Sequence, residues 1–570
     1  MVRHENLKNA FMNLWRSNKQ SKNSRGSIEN TSRSMGPNDE TFPGIEIEKG
    51  KVHEMAKAGE SALLKGKRNL YQHGGQIVEI IPAETERLRI LQVGTDLLLS
   101  YLCEAAYWFR SKTSTRGAVT RVRSDPPTNV VRVIHAKGRW ELPTLLGIKY
   151  GPTILQNGLV VTIPGYHPEC RMLFEFDKSK FPQLPEKVDK EFAKAAMNRL
   201  SDLFTDFPFE SPADRSVTLA ALLTMVGREA FEGPAPMFIF DAHTPGTGKS
   251  FLADIISLIA TGQPAPRVPY GNDEEVRKKI TSSLMMAEPL ILLDNVNRAL
   301  GGASLDAALT SELWRDRALG SNNILTLPMK MVFLATGNNV SIKGDLARRV
   351  VSCRLEAQTE FPERRAGFKH QDLKGKVIRE RPQLLMDVLA VLKGRVDQQE
   401  FEEPIASYGS FDGWSHLVRG ALLWLDYPDP LQTQQRIREN SDEDRETICM
   451  LLRLLSDTYM AREFNTRNAF EESKRSREIY DGNPRLWDTI EAALDAKPEV
   501  ALLSKLFSQI EGRIFNGYRL RKSRRRNSRG RLWRIERVTE SSAGTRIIGS
   551  NAASAASAAD AAEMSLRRKI

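Results

Sequence analysis

The residues best suited to chemistry lie in one stretch, PMFIFDAHTPGTGKSFLADIISLIATG, which starts at Pro236. Its apolar run Met237–Phe240 predicts a buried strand, and the spacing of apolar residues over 250–260 predicts a helix. A glycine-rich turn joins the two. In the pattern GxxxxGK[ST], such a turn directs its backbone N–H groups at phosphate oxygens where the helix begins. The stretch therefore predicts a phosphate-binding loop.

Each part of this loop has an expected task. Gly246 and Gly248 let the backbone curl around the phosphates. Lys249 reaches the β- and γ-phosphates of ATP, and the hydroxyl of Ser250 takes a position on Mg²⁺. The first motif position holds His243 instead of glycine, and histidine tolerates unusual φ angles better than most residues. The expected cofactors are ATP and Mg²⁺, and the predicted cofactor-binding residues are Thr244, Pro245, Gly246, Thr247, Gly248, Lys249, Ser250 and Phe251.

Two later apolar strands end in polar side chains. The strand predicted over 289–293 is followed by Asp294, whose carboxylate supports Mg²⁺ through water, as is typical of a Walker B strand. The strand predicted over 331–335 leads to Asn338, whose amide suits a sensor of the γ-phosphate and the attacking water. Because these polar strand ends follow a phosphate-binding loop in this order, they predict that one edge of the sheet carries the catalytic residues.

Two arginines and an unusual asparagine extend this set. Arg348 and Arg349 follow the sensor strand, where an arginine can reach the γ-phosphate held by a neighbouring subunit of a ring. Asn295 stands where most ring ATPases have glutamate; an amide orients water but accepts no proton. Either hydrolysis is slow, or Asp241 or Asp345 assists. The predicted catalytic residues are Lys249, Asp294, Asn295, Asn338, Arg348 and Arg349, and the predicted metal-binding residues are Ser250 and Asp294.

Length and composition limit what surrounds this site. The chain has 570 residues, enough for about four domains, and 41% hydrophobic and 27% charged residues are typical of a soluble globular protein. No apolar run approaches the roughly 18 residues needed to span a bilayer. The charged start argues against secretion, and four scattered cysteines fit a reducing cytoplasm. A cytoplasmic location without membrane contact is expected.

The pattern of elements predicts an α/β fold: a P-loop ATPase core with a parallel sheet, an N-terminal α+β domain, a helical domain and a C-terminal winged helix. Helices alternate with short, fully apolar strands only in the ATPase segment. The predicted domains are a disordered arm over 1–43, an α+β domain over 44–186, the ATPase over 187–375, a helical domain over 376–462, a basic winged-helix-like domain over 463–540 and a disordered Ala/Ser tail over 541–570.

The basic domain carries most of the net charge of +12. Between residues 513 and 537, ten arginines and one lysine face a single glutamate, which gives +10. Helix, helix and basic hairpin is the order of a winged helix, and the arginines predict salt-sensitive binding to DNA ahead of membrane. A solvated or autoinhibitory loop is the alternative. The predicted DNA-binding residues are Arg519, Arg521, Arg524, Arg525, Arg526, Arg529 and Arg531.

The series HTPGTGKS, LLDNVN, ATGNN and DLARR, with the flanks RWELPTLLGIKYGPTILQNGLVVTIPGYHPE and GSFDGWSHLVRGALLWLDYPDP, resembles the AAA+-related superfamily-three helicase modules of bacteriophage and plasmid primase-helicases. The similarity spans residues 45–540. The resemblance implies that the ATPase core is AAA+-like and that the helical domain is lid-like. It also implies a hexameric ring that moves along single-stranded DNA, with a hairpin in the pore. Here Arg315, Arg317 and Lys330 flank the candidate hairpin. No primase residue set is evident, so a separate primase is a possible partner.

The sequence thus predicts an ATP-dependent DNA translocase or helicase of a phage or other mobile element, acting as a ring in DNA replication, with duplex or origin DNA held by the winged helix. One alternative is a DNA-binding scaffold in which ATP drives assembly without hydrolysis, and Asn295 favours it. Another is an ATPase that loads a second replication protein and never unwinds DNA.

Overall fold

The computed structural model describes residues 42–66, 68–83, 87–317, 324–359, 361–398, 405–460, 462–476, 485–494, 497–527 and 530–538, with only the backbone at 435, 438–445, 524–527 and 530. The chain forms two compact units. The N-terminal unit contains the described residues up to Leu70, Gln76–Glu79 and Gln92–Leu142. The C-terminal unit contains Tyr71–Gly75, Ile80–Leu91 and the described residues from Pro143 onward.

The N-terminal unit packs three helices around a small apolar core. In the helix over 128–136, Val130, Val131 and Ile134 are buried while Val133 is exposed, the helical spacing of an amphipathic segment. The helices are α1 Val52–Lys65, α2 Thr95–Ala105 and α3 Thr128–Ala136. The strands over residues 44–123 are β1 Gly44–Glu46, β2 Leu70–His73, β3 Gln76–Pro82, β4 Leu88–Gln92, β5 Tyr107–Thr113 and β6 Val119–Arg123. The sheet of this unit has the order β1-β5-β6.

A five-stranded parallel sheet dominates the C-terminal unit. Before it come the short strands β7 Gly147–Lys149, β8 Thr153–Ile154, β9 Val160–Val161, β10 Gly165–His167 and β11 Met172–Phe174. The sheet contains β12 Met237–Ala242, β13 Arg267–Pro269, β14 Leu290–Val296, β17 Val332–Gly337 and β18 Val350–Leu355. Its order is β13-β14-β17-β12-β18, and every pairing is parallel. The predicted α/β class with a parallel sheet is confirmed.

The central strands of this sheet, β12, β14 and β17, are mainly apolar because both of their faces are buried. Alternate residues enter two separate cores. One core takes Phe238, Phe240, Leu292, Leu334 and Cys353, and the other takes Met237, Ile239, Ile291, Leu293 and Phe333. The helices and strands around the sheet are α4 Lys190–Asp202, α5 Pro212–Gly227, α6 Lys249–Thr261, α7 Asp273–Met285, α8 Ala303–Ala308, β15 Leu313–Arg317 and β16 Ile324–Pro328.

The C-terminal part of the chain begins with a 25-residue helix, α9 Leu373–Asp397. The following helical segments are α10 Asp412–Trp414, the π turn Ser415–Arg419, α11 Gly420–Trp424 and α12 Gln434–Tyr459. The last elements are β19 Phe464–Asn465, α13 Thr466–Ser476, α14 Leu486–Leu494, α15 Val500–Ile510, β20 Ile514–Phe515, β21 Tyr518–Asn527 and β22 Gly530–Arg537. Their sheet has the order β19-β22-β21-β20, with Trp533 and Phe507 in the core beside it.

None of the described helices is both long and apolar enough to cross a membrane.

Candidate functional site

The predicted phosphate loop connects β12 to α6. Gly246 has φ +79° and Gly248 has φ +99°, a left-handed backbone that favours glycine. Space is restricted as well: a Cβ on Gly248 would lie 3.3 Å from the ring of Phe207, and one on Gly246 would lie 3.1 Å from Oε2 of Glu363. Because α6 starts at Lys249, the loop backbone lies at the N-terminus of a 13-residue helix.

Lys249 is buried among neutral oxygens, with 8% of its surface exposed. Its Nζ donates to Oδ1 of Asn338 at 2.8 Å, to Oγ1 of Thr247 at 3.1 Å and to the carbonyl oxygen of Thr244 at 3.2 Å. Burial lowers the pKa of Lys249. An ammonium ion held by neutral acceptors gains from an anionic ligand, since a phosphate would supply the charge that its surroundings lack.

The carboxylate of Asp294 links three elements. Its Oδ1 accepts the hydroxyl of Ser250 at 2.8 Å and the hydroxyl of Thr336 at 2.5 Å. Its Oδ2 forms an ion pair with Nε of Arg267 at 3.1 Å. The two predicted metal-binding side chains, Ser250 and Asp294, therefore lie together. Thr336 and Arg267 were missed by the sequence analysis, because only the parallel pairing of β13, β14 and β17 brings them to Asp294.

A hydroxyl beside one carboxylate fits Mg²⁺, which usually keeps several waters and takes one or two carboxylates together with substrate phosphates. Within the described residues there is no cluster of three or more His, Cys, Asp or Glu side chains that could hold a metal alone. Ser250 and Asp294 would thus hold the ion jointly with a nucleotide.

At Asn295 the backbone of β14 leaves the extended conformation. Its φ is +54°, and its backbone N–H donates to Oγ1 of Thr336 at 3.0 Å. The pairing of β14 with β17 shifts register between Leu293 and Val296. Asparagine is one of the few residues that adopts left-handed φ readily, so the backbone itself favours this residue type. The side chain is exposed.

The two carboxylates suggested as helpers for Asn295 already have partners. Asp241 is buried, with Oδ1 accepting the N–H of Val340 and Oδ2 paired with Arg354 at 3.0 Å. Asp345 accepts Nη2 of Arg348 and Nη2 of Arg349. Both oxygens of Asp241 are occupied, which leaves it poorly suited to accept a proton from water.

Arg348 and Arg349 differ in environment. The Arg348 side chain is 70% exposed and pairs only with Asp345 among the described residues. The Arg349 side chain is 13% exposed, donates to Oδ1 of Asp306 at 2.7 Å and to its carbonyl oxygen at 3.0 Å, and also pairs with Asp345. The structure therefore anchors Arg349 within its own chain and leaves Arg348 facing solvent.

Three further residues in or beside the loop are His243, Pro245 and Phe251. His243 lies 2.8 Å from Oδ1 of Asn339 through its Nδ1, so the residue that replaces the first motif glycine contacts the end of the sensor strand. Phe251 stacks on Phe207 with ring centroids 6.1 Å apart and stays partly exposed. Pro245 is exposed at the turn.

The candidate pore hairpin is formed by β15 and β16, which pair antiparallel from Leu313 to Arg317. Its tip, 318–323, lies outside the described residues. Arg315 and Arg317 are exposed. Lys330 does not join them: its Nζ donates to the carbonyl oxygen of Phe231 at 3.1 Å, and burial lowers its pKa. Two of the three basic residues predicted to flank this hairpin are thus available to a ligand.

The basic C-terminal hairpin is β21 paired antiparallel with β22. Of the predicted DNA-binding residues, Arg519 and Arg521 lie 2.8 and 3.5 Å from Oε2 of Glu536, which also pairs with Arg534. Arg531 is exposed. The side chains of Arg524, Arg525 and Arg526, and the whole of Arg529, lie outside the described residues. The carboxylate of Glu536 therefore neutralises part of the positive charge that was predicted to bind DNA.

Comparison with known proteins gives no family model and no curated protein that matches the chain. Among solved structures, the apo C-terminal region of NrS-1 is 11% identical, with 84% of this chain and 98% of that chain covered and a TM-score of 0.38. SCCmec type IV Cch, described as an active helicase, is 10% identical over 81% and 91%, with a TM-score of 0.30. The JCV helicase is 13% identical over 42% and 68%, with a TM-score of 0.18. These identities and TM-scores are too low to assign a family.

Proposed function

We propose that this chain binds ATP and Mg²⁺ and uses hydrolysis to move along DNA as a helicase. The observation that carries the proposal is the 2.8 Å contact between Ser250 and Asp294 beside the Lys249–Asn338 contact. These side chains meet at the carboxyl ends of β12, β14 and β17. In open α/β sheets that edge binds ligands where the strand order reverses, and here β13 and β18 lie on opposite sides of β12.

The residues would divide the work as follows. The loop backbone and Lys249 would bind the β- and γ-phosphates, and Ser250 and Asp294 would hold Mg²⁺, with Asp294 acting through water. Asn338, which now accepts from Lys249, turns to the γ-phosphate when the nucleotide replaces it as the partner of that ammonium. Asn295 orients the attacking water. Bound Mg²⁺ would supply charge neutralisation at the phosphates during transfer.

The two arginines are the basis on which ring assembly is proposed. An arginine that stabilises the transferring phosphate from a neighbouring subunit must reach beyond its own chain. Arg348 is 70% exposed and would have to leave one carboxylate, that of Asp345, whereas Arg349 is 13% exposed and would have to leave both Asp306 and Asp345. We therefore assign Arg348 as the residue acting in trans and Arg349 as the residue that fixes the local backbone, in a homo-oligomer that we take to be a hexamer.

DNA would be engaged at two places in such a ring. The β15–β16 hairpin presents Arg315 and Arg317 to single-stranded DNA in the pore. The basic C-terminal domain, with helices α14 and α15 before its hairpin, is proposed as a winged helix for duplex or origin DNA. A role in replicating a phage or plasmid, with a separate primase, would fit this combination.

A specific observation favours a second candidate, the scaffold that binds ATP without hydrolysing it. No carboxylate follows Asp294 in β14, since Asn295 is there, and Asp241 has both oxygens bonded. In that case ATP would drive assembly on DNA. A loader that hydrolyses ATP without unwinding DNA would differ from a helicase only in strand displacement.

Steady-state phosphate release at several protein concentrations, with and without single-stranded DNA, tests the proposal. The variants are Lys249→Ala and, as a matched control, Lys374→Ala, an exposed lysine of α9. We expect DNA-stimulated release in the wild type and the control and none in Lys249→Ala. ATP binding without release by the wild type would establish the scaffold instead. Release without displacement of a labelled strand would establish the loader.

A further inference from the structure

The N-terminal unit carries a basic ribbon, residues 107–123, that lies outside the nucleotide site. Strands β5 and β6 pair antiparallel from Phe109–Arg123 to Thr113–Val119, which gives about 14 Å of ribbon at about 3.4 Å per residue. Every residue from Arg110 to Arg123 is exposed. The ribbon therefore projects beyond the apolar core of its unit, with both faces in solvent.

The charge of the ribbon has one sign. It contains five basic residues and no acidic one. The basic residues are Arg110, Lys112, Arg116, Arg121 and Arg123. None of them forms an ion pair with any carboxylate in the described part of the chain. The ion pairs of this unit use other cations instead, those of Lys51, Arg68 and Lys137. This differs from the C-terminal hairpin, where one glutamate binds three arginines.

The positive side chains occupy both faces and the tip. Arg121 and Arg123 lie opposite Ser111 and Phe109, and directly paired residues share a face. Arg110 alternates with Phe109 along β5, so it belongs to the other face, as does Lys112. Arg116 is in the turn. Cations therefore point in several directions around the ribbon.

Two of the arginines are held in place by rings. The Arg121 guanidinium lies 4.7 Å from the ring centroid of Phe109, and the Arg123 guanidinium lies 5.9 Å from that of Tyr107. A guanidinium stacked on a ring keeps the N–H groups at its edge free to donate. The stacked rings are themselves covered, since Phe109 is buried and Tyr107 is half-buried.

We propose that this basic ribbon binds duplex DNA by lying in a groove. The major groove admits a two-stranded β-ribbon, and phosphates line both of its walls, where cations on both faces meet them. Val119 and Val122 are exposed on the ribbon and can contact thymine methyl groups. A surface for single strands would instead present open aromatic rings for base stacking, and the rings here are covered.

Fluorescence anisotropy of the full chain on a short labelled duplex, without nucleotide and over a salt series, tests the ribbon. The variant is Arg110→Ala/Lys112→Ala/Arg116→Ala, which removes exposed, unpaired side chains and spares the stacked arginines. Each phosphate contact contributes about 0.9 to the slope of log K against log salt, so the slope should fall by about 2.7. The charge-retaining variant Arg110→Lys/Arg116→Lys should keep the wild-type slope.

The matched control is Lys49→Ala/Lys57→Ala/Lys65→Ala, which removes the same charge from exposed positions of the same unit. It should leave the slope unchanged. An equal fall in the control would overturn the proposal, because net charge alone would then explain it. The proposal would also be overturned if the ribbon variant lost as much affinity for a single-stranded probe as for the duplex. The same holds if the variant lost affinity only for phosphatidylserine vesicles. The measurement is made without ATP. Its result therefore tests the ribbon even if the protein proves not to hydrolyse ATP.

Discussion

Replacing Lys249 with methionine should stabilise the protein in the absence of nucleotide. Lys249 is 8% exposed, and its ammonium group has three neutral hydrogen-bond partners. Burying a cation costs several kcal/mol, and hydrogen bonds from a charged donor return about 1.5–3 kcal/mol each at best. These opposing contributions nearly cancel, and methionine adds apolar burial. We expect a net gain of about 1 kcal/mol in the free energy of unfolding, or about 2 °C in the thermal midpoint.

The same substitution should remove most of the stabilisation that ATP provides. A wild-type protein with ATP at 100 times its Kd gains about 2.7 kcal/mol. Loss of one charged hydrogen bond to phosphate, worth about 2.7 kcal/mol, raises Kd about 100-fold. At the same ATP concentration the variant would then gain only about 0.4 kcal/mol. Thermal unfolding followed by circular dichroism, with and without Mg²⁺ and ATP, measures both effects in one series.

The sign of the pH dependence follows from the lowered pKa of Lys249. Burial lowers this pKa, so on raising the pH the folded protein releases the proton before the unfolded chain does. Between the two pKa values the unfolded chain binds more protons, and the free energy of unfolding of the wild type rises with pH. The advantage of methionine is therefore full at neutral pH and disappears above the ordinary lysine pKa. A variant less stable than wild type at neutral pH, while Lys374→Met is unchanged, would refute the reasoning.

Three further substitutions separate the roles at the site. Asp294→Asn should abolish the difference in ATP affinity between Mg²⁺ and EDTA, measured by titration calorimetry, because one of the two proposed metal-binding groups is lost. Arg348→Ala should remove phosphate release at unchanged urea midpoint, whereas Arg349→Ala should lower the free energy of unfolding by about 1–3 kcal/mol, since it leaves a half-buried Asp306 unpaired. Asn295→Asp should raise phosphate release, towards the roughly 10²-fold of a positioned general base, and an unchanged rate would contradict the role assigned to this position.

The strands around the phosphate-binding loop could be predicted from the sequence alone. Because both faces of the sheet are buried, β12, β14 and β17 are short and each begins with four apolar residues, so the polar residues near their carboxyl ends stand out in the sequence. The carboxyl ends of these strands extend two to three residues further than expected, so Asp294 lies within β14 and not after it. The glycines at 246 and 248 were predicted from the motif, and their positive φ angles agree with it.

Other features depend on contacts between distant segments. Thr336 is an ordinary threonine in the sequence, and only its position opposite β14 makes it a partner of Asp294. The packing of Glu363 against Gly246 likewise follows from the chain returning to the loop.

The backbone conformation beside Asp294 explains why residue 295 is asparagine and not glutamate. The register shift after Leu293 puts residue 295 at φ +54°, and its N–H fixes the Thr336 hydroxyl that in turn donates to Asp294. Glutamate at such a φ would cost about 1–2 kcal/mol, whereas asparagine and aspartate adopt it more readily. Arg267 balances the charge of Asp294, at 3.1 Å. Asparagine therefore preserves the position of the proposed metal-binding carboxylate, and the loss of a proton acceptor is the consequence.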